Sequence, residues 1–306
     1  MKHAYLIIAH SEYPILQILL SMLDEYGNDV YLHIDKRAKV LHRELKSFKM
    51  DKAGFFILEN PIKVYWGNIS QIKAEYLLFE TALANGPYAY YHLLSGTDLP
   101  IQKQEYIHNF CARHTGKEFV GFWLDADHQR DLERKAHRYY LFTQHLKDRH
   151  TNPFIHSLTS FCRNTTLILQ KIIHYRKAAK FVLKKGPNWV SITNEFCIYL
   201  VQKKKIVLQH FRYALCPDEI FVQSILWNSP FRENIYCIED VNKSAMRKID
   251  WERGKPYTWR NKDYDELVQS DMLFARKFSS EQIELAHKIM ETYGQKTVNQ
   301  YHYHLI

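Results

Sequence analysis

The sequence lacks any long hydrophobic run: no window reaches about 18 consecutive apolar residues, the length a membrane-spanning helix needs. The apolar stretch inside the opening "MKHAYLIIAHSEYP" is too short for a signal-peptide core, and it reads as a strand that begins the fold at once. Cysteine is sparse. Cys111, Cys162, Cys197, Cys216 and Cys237 are odd in number, scattered, and without CxxC or zinc-ligand spacing. That pattern excludes a disulfide scaffold or zinc module, and we expect reduced thiols in a cytosolic protein. There are only ten glycines, and none falls in GxGxxG, GxxxxGK[ST] or GxSxG. These absences count against dinucleotide-binding dehydrogenases, P-loop enzymes and α/β-hydrolases. Seventeen histidines are dispersed without an HExxH pair, so no histidine metal site is expected.

What is present points to a folded α/β chain. At 306 residues, 46% apolar and 14% aromatic, it is long enough for one large domain or two modest ones. Lys and Arg number 42 against 33 Asp and Glu, a net charge of +9. Such a balance favours an anionic partner: a nucleic acid, a phosphate-bearing small molecule or an acidic membrane surface.

"AYLIIA" (4–9) is apolar throughout, as in a strand covered on both faces. Ser11 is the expected cap of a helix with Leu16, Leu19, Leu20 and Leu23 on one side. Strand-like segments recur at 29–35, 54–59, 88–96 and 117–123, with helical segments at 39–48, 69–85 and 104–114. This alternation predicts a mostly parallel sheet built from βαβ units, whose ligands bind at the carboxyl ends of the strands. After a charged segment at 125–142, residues 155–185 read as a basic helical stretch with Leu158, Phe161, Leu167, Leu169, Ile172 and Ile173 at apolar spacing. We expect those positions to be core and the Lys and Arg side chains to form a solvated face. A peripheral membrane patch and a nucleic-acid surface are the competing readings, the latter without a known motif. From 187 onward the pattern resumes with "PNWVSI", a helix at 194–209, "NIYCIE" (234–239) and "RKIDW" (247–251), then "YDELVQSDMLFARKF" (264–278) and a last helix near 280–294.

Several stretches could carry chemistry. Asp35 stands just beyond an apolar strand, where a carboxylate can bind a ribose or base or merely cap the next helix. In "YYHLLSGTDLPI" a strand breaks into small residues and Asp98, with no second acid beside it to support a divalent cation. Arg260, Arg276 and Lys277 could bracket a diphosphate, or be part of a solvated basic face. In "CPDEIFVQSIL" the residues Pro217 and Asp218 suit a helix start, which leaves Glu219 less accounted for.

Together, "YLIIAH", "VYLHIDKRA", "VYWGNISQIKAEYLL", "YYHLLSGTDLPI", "GPNWVSITNEFCIYLV", "CPDEIFVQSIL", "IDWERGKPYTW" and "SDMLFARKF" run in one order from about residue 4 to 278. In this the chain resembles the core-2/I-branching β-1,6-N-acetylglucosaminyltransferases, a family that also contains the peptide xylosyltransferases. The resemblance implies a GT-A-type nucleotide-sugar fold and an inverting, metal-independent transfer from a UDP-sugar to a glycan or lipid-linked glycan. N-acetylglucosamine is the donor sugar it favours, with xylose or a hexose as alternatives. By position it makes Glu219 the catalytic base, Arg260 and Lys277 the diphosphate contacts, and Asp35 the uridine-binding acid. It places His10, Tyr65, Trp66 and Asp98 in donor-site segments. It brings Arg134 and Arg138, in "ERKAHRYY", to the acceptor, and suggests Trp189 and Trp251 as sugar-stacking rings. We therefore expect one domain over 1–306: a nucleotide-binding half at 1–123, an acceptor and catalytic half at 124–278, and a C-terminal helix and tail at 279–306. No cofactor, metal or nucleic acid is expected. The unpaired cysteines and direct start at the first strand suggest a bacterial cytoplasmic relative, peripheral to the membrane at most, making surface polysaccharide.

Overall fold

The computed structural model describes residues 1–148 and 152–294. Five strands form the main sheet: β1 (His3–Ala9), β2 (Asn28–Ile34), β3 (Gly54–Ile57), β4 (Tyr90–Ser95) and, counting in chain order past β5, β6 (Ser191–Thr193). Their order is β3-β2-β1-β4-β6, parallel except for the antiparallel pairing of β6 with β4. A second, three-stranded sheet has β5 (Asp98–Pro100) antiparallel to β8 (Phe274–Arg276), with β7 (Arg247–Ile249) parallel to β8 on its other side.

Side chains alternate across a strand, so a strand covered on both faces must be apolar throughout. Strand β1 meets this requirement. Tyr5, Ile7 and Ala9 join one buried cluster, beneath the helices Tyr13–Leu23, Gln104–Arg113 and Ile283–Tyr293. Ala4 and Leu6 join the opposite cluster, beneath Ser70–Asn85, Asn194–Gln202 and Phe221–Trp227. Leu6, Leu20, Leu93 and Leu226 are fully buried, and truncating any one to Ala would cost about 2–5 kcal/mol.

The helices after β1 and before β4 thus lie on opposite faces, and the strand order reverses between β1 and β4. An open α/β sheet leaves a crevice at such a reversal.

Four expectations are corrected. Ser11 does not cap the first helix: Glu12 occupies the cap position in the left-handed conformation, and its carboxylate accepts from the Ser280 N–H at 2.7 Å. Residues 117–123 and 234–239 do not form strands. Glu118 bridges Ile235 and Phe119 bridges Ser191, one residue each, so the segment touches two partners without building a ladder with either. Asp218 caps no helix, because the turn Pro217–Glu219 begins at Cys216 without a side-chain cap and Asp218 points into the interior. Finally, the helix Pro153–Ile172 faces the opposite way from expectation. Its buried residues are Thr159, Arg163 and Gln170, while Leu158, Phe161, Leu169 and Ile172, with Ile173 just beyond, are exposed. Apolar periodicity finds a helix but does not say which side meets the protein.

Candidate active site

A cavity of about 660 Å³ opens at the carboxyl ends of β1, β2 and β4. His10 follows β1 directly, Asp35 follows β2, and Ser95 ends β4. The backbone joins these ends: the Asp35 N–H donates to Ala9 O at 2.9 Å and the Gly96 N–H to Ile8 O at 3.0 Å.

Asp35 is buried and spends its oxygens within the protein. It accepts from the Arg37 N–H at 2.8 Å, the Arg37 guanidinium at 3.0 and 3.1 Å, and the Val64 N–H at 2.9 Å. Burial alone would raise its pKa, but these donors together hold it below the usual carboxylate range. Arg37, which lines the cavity, also lies 4.4 Å over the Tyr65 ring. Trp66 on the cavity wall is half exposed, with the Lys147 ammonium 3.6 Å from its ring. The His10 imidazole is held below its ordinary pKa, chiefly by desolvation and further by the cations Arg276, Lys277 and Arg37, against the pull of Asp35.

The basic side of the cavity is set by the small sheet. Asp98 pairs with Arg276 in the β5–β8 register and its Oδ1 lies 2.6 Å from Arg276 Nη1. Asp98 also accepts from the Ser95 N–H and hydroxyl at 2.8 Å each, so it reaches the cavity only through Arg276. The Arg276 guanidinium lies 4.6 Å over the ring of Trp189, another lining residue. Lys277 and His10 share an adjoining cavity of about 120 Å³. Arg260 lines neither cavity. It is exposed on the next turn, tethered nearby because the Trp259 N–H donates to Lys277 O and the Trp259 indole to Arg276 O.

Glu219 lines none of these cavities; it follows Asp218, which the lining residue Gln71 holds at 2.9 Å. Glu219 Oε2 lies 3.0 Å from Lys135 Nζ and 3.2 Å from Lys185 Nζ, and both ammoniums also reach Asp131 Oδ2, at 2.9 and 3.1 Å. Burial works against the charge on Lys135, but Glu219 and Asp131 outweigh it and raise its pKa. Asp131 is itself held well below the carboxylate range, against burial, by Lys135, Arg134 and Lys185. No hydrogen bond reaches Glu219 Oε1 among the described residues. Lys185 lies 4.3 Å under the Trp123 ring, and Trp123 meets Trp251 edge-on at 5.7 Å. Arg134 touches the cluster through Asp131 at 2.5 Å, but with Arg138 it lines a separate cavity of about 540 Å³.

The turn is locked from behind. Gly186 N–H donates to Glu219 O at 2.9 Å, and a Cβ on Gly186 would fall 1.9 Å from Gly121 O, so only glycine lets the two backbones pass. Beneath it, Asp218 Oδ2 accepts from Gln71 at 2.9 Å while Oδ1 has no partner among the described residues. Burial, then the Glu219 charge, pushes Asp218 up to about 7. Glu75 beside it lines the cavity floor, and neither of its oxygens has a partner in full hydrogen-bonding geometry among the described residues. Burial, then Asp218, raises Glu75 well above the ordinary range. Sequence reasoning missed Glu75, Lys185 and Trp123. "AEYLLF" reads as helix interior and "GFWLDAD" as a strand end, with no spacing that marks either as a site.

Among the described residues one group could ligate a metal: His3, His92 and Cys111, with ligand atoms within 4.8 Å of one another. It is buried at the amino end of β1, about 20 Å of strand from His10. His92 already bonds His3 at 3.0 Å and Ser191 at 2.7 Å, which accounts for its ring nitrogens without an ion.

Comparison with known proteins supplies the lineage. Xylosyltransferase 2 of dog and of human are each 24% identical over 301 residues, and xylosyltransferase 1 of rat is 22% identical over 303. Each alignment covers 92% of this chain, which spans about a third of the relatives' own length (32–34%). The crystal structure of mouse xyloside xylosyltransferase 1 in its apo form aligns over 90% of this chain and 96% of its own, with TM-score 0.35 and 8% identity. The family model described as Core-2/I-Branching enzyme matches residues 3–274, nearly the whole described fold, and the chain belongs to that family.

Proposed function

We propose that this chain is an inverting, metal-independent glycosyltransferase that moves a sugar from a UDP-sugar to a glycan hydroxyl. The observation that carries the reading is a cavity with cationic chemistry on one side and, joined to its wall through Gln71 and Asp218, a turn that holds the carboxylate of Glu219 between two lysines. Glu219 Oε2 is fixed by Lys135 and Lys185, which leaves Oε1 for an acceptor hydroxyl. Deprotonating that hydroxyl makes it the nucleophile, which attacks the anomeric carbon from the face opposite the diphosphate in one displacement. Arg276, Lys277 and neutral His10 face the place where charge develops on the leaving group, and Arg260 lies one turn away. Asp98 acts by holding Arg276, and Asp35 by holding Arg37. Trp123 and Trp251 supply aromatic faces next to Glu219, and Trp189 supplies one in the cavity.

N-acetylglucosamine is the proposed donor sugar and a bacterial surface polysaccharide the proposed acceptor. Transfer of xylose is the second reading, because the relatives described above are xylosyltransferases. The five free cysteines suit a reducing compartment. A panel of UDP-sugars, scored by UDP release and by rise in melting temperature, tests both readings. One UDP-sugar should stand out on both readouts, and activity should survive EDTA. Loss of activity that manganese restores would overturn the metal-free mechanism.

A further inference from the structure

The helix Pro153–Ile172 presents its oily side to solvent. Phe154, Leu158, Phe161, Ile168 and Ile172 follow one another at spacings of four, three, seven and four residues, with Leu169 beside Ile168, and Phe161 is 69% and Ile172 66% exposed. The helix holds the protein through its polar side instead: Gln170 exchanges hydrogen bonds with the Tyr139 backbone at 2.8 and 3.1 Å, and Arg163 is buried against Phe142 O. A continuous exposed apolar face of this kind needs a covering surface.

Charge identifies that surface. Residues 153–185 contain seven Lys and Arg and no Asp or Glu (Arg163, Lys171, Arg176, Lys177, Lys180, Lys184 and Lys185). Arg163 and Lys185 are buried, and the other five are exposed or half-buried. The cavity of about 540 Å³ begins at the helix's C-terminal end and is lined by Lys171, Arg130, Arg134, Arg138 and Arg176 against one acid, Glu133. Arg176 pairs with Glu133, Arg130 with Asp127 and Arg134 with Asp131, so the lining keeps a positive excess. A second copy would bring the same cations against one another in a two-fold interface. A nucleic acid would match the cations but leave the apolar stripe uncovered.

We propose that this helix lies in the surface of an anionic phospholipid bilayer, its apolar stripe among the acyl chains and the adjoining basic cavity among the lipid phosphates. An interfacial helix combines these two features. The attachment would place an enzyme without a membrane-crossing helix among its described residues beside lipid-linked glycans.

Co-sedimentation of the full chain with phosphatidylcholine vesicles, with and without about one-third phosphatidylglycerol, tests this. Binding should need the anionic lipid and weaken with salt. Phe161→Asp and Leu169→Asp should each weaken binding at least about tenfold, and Lys171→Gln about fivefold. Their exposed positions should leave the melting temperature near wild type, and Phe161→Ser serves if the aspartate variant melts early. The proposal is overturned if anionic vesicles leave the chain in solution or if the apolar variants bind undiminished. It also fails if the wild type is a dimer that ignores vesicles and Leu169→Asp makes it monomeric.

Discussion

Glu219 is bound to its surroundings at both ends, and the two ends explain different things. The carbonyl is fixed by Gly186, and the carboxylate by Lys135 and Lys185. In the mechanism proposed above Glu219 is the general base, a role worth about 10²–10⁴-fold in a transfer reaction. Glu219→Gln keeps the shape but cannot accept the proton, so kcat should fall at least about 100-fold while UDP affinity, measured by calorimetry, stays near wild type. Retention of full turnover would remove Glu219 from the mechanism. Its neighbour teaches the opposite lesson. Proline followed by two acids suits a helix start, but Asp218 is buried and pushed up to about 7, a property of its packing that no local pattern encodes.

At the scale of elements, legibility followed how many faces an element covers. Strands β1, β2 and β4 are buried on both faces, so their mostly apolar and aromatic runs announced them, and the ends that carry His10, Asp35 and Ser95 came with them. Of the small sheet only the 247–251 segment was legible, because three-residue strands carry no periodicity, yet its register puts Asp98 on Arg276. The helix Ala126–Ala136 makes this scale testable. Asp125 caps it by accepting from the Asp127 and His128 N–H groups at 3.1 and 3.0 Å, and the helix carries Asp131, Arg134 and Lys135. Asp125→Ala should cost about 1 kcal/mol of stability. Because the cap positions the lysine clamp, acceptor KM should rise while donor KM holds. Unchanged acceptor kinetics in a destabilised variant would show that the helix is only structural.

Across the whole molecule, buried acids give stability a dependence on pH. Burial, then the Asp218 charge, makes Glu75 hold its proton to higher pH in the folded chain than in the unfolded one, where it ionises above about 4.3. The folded state then binds more protons than the unfolded one, so stability must fall as pH rises above that value. Glu118, raised to about 7 by burial against the opposing bonds from Thr193, adds the same sign between its unfolded pKa and about 7. Histidines lowered by burial, such as His33 at about 4, act oppositely but only below their unfolded pKa of about 6.5. Above about pH 6.5, where the histidines no longer contribute, the acids therefore dominate among these groups. Melting temperature should decline there in the wild type, and Glu75→Gln should flatten the decline. An unchanged slope would show Glu75 ionised at neutral pH. A final consequence concerns inheritance. The backbones of residues 121 and 186 cross with no room for even a methyl group, at the point where Glu219 is tethered. Sequence change should therefore gather in the 125–180 excursion between the two glycines, apart from the clamp residues Asp131 and Lys135, whereas a change at either glycine would shift Glu219 itself.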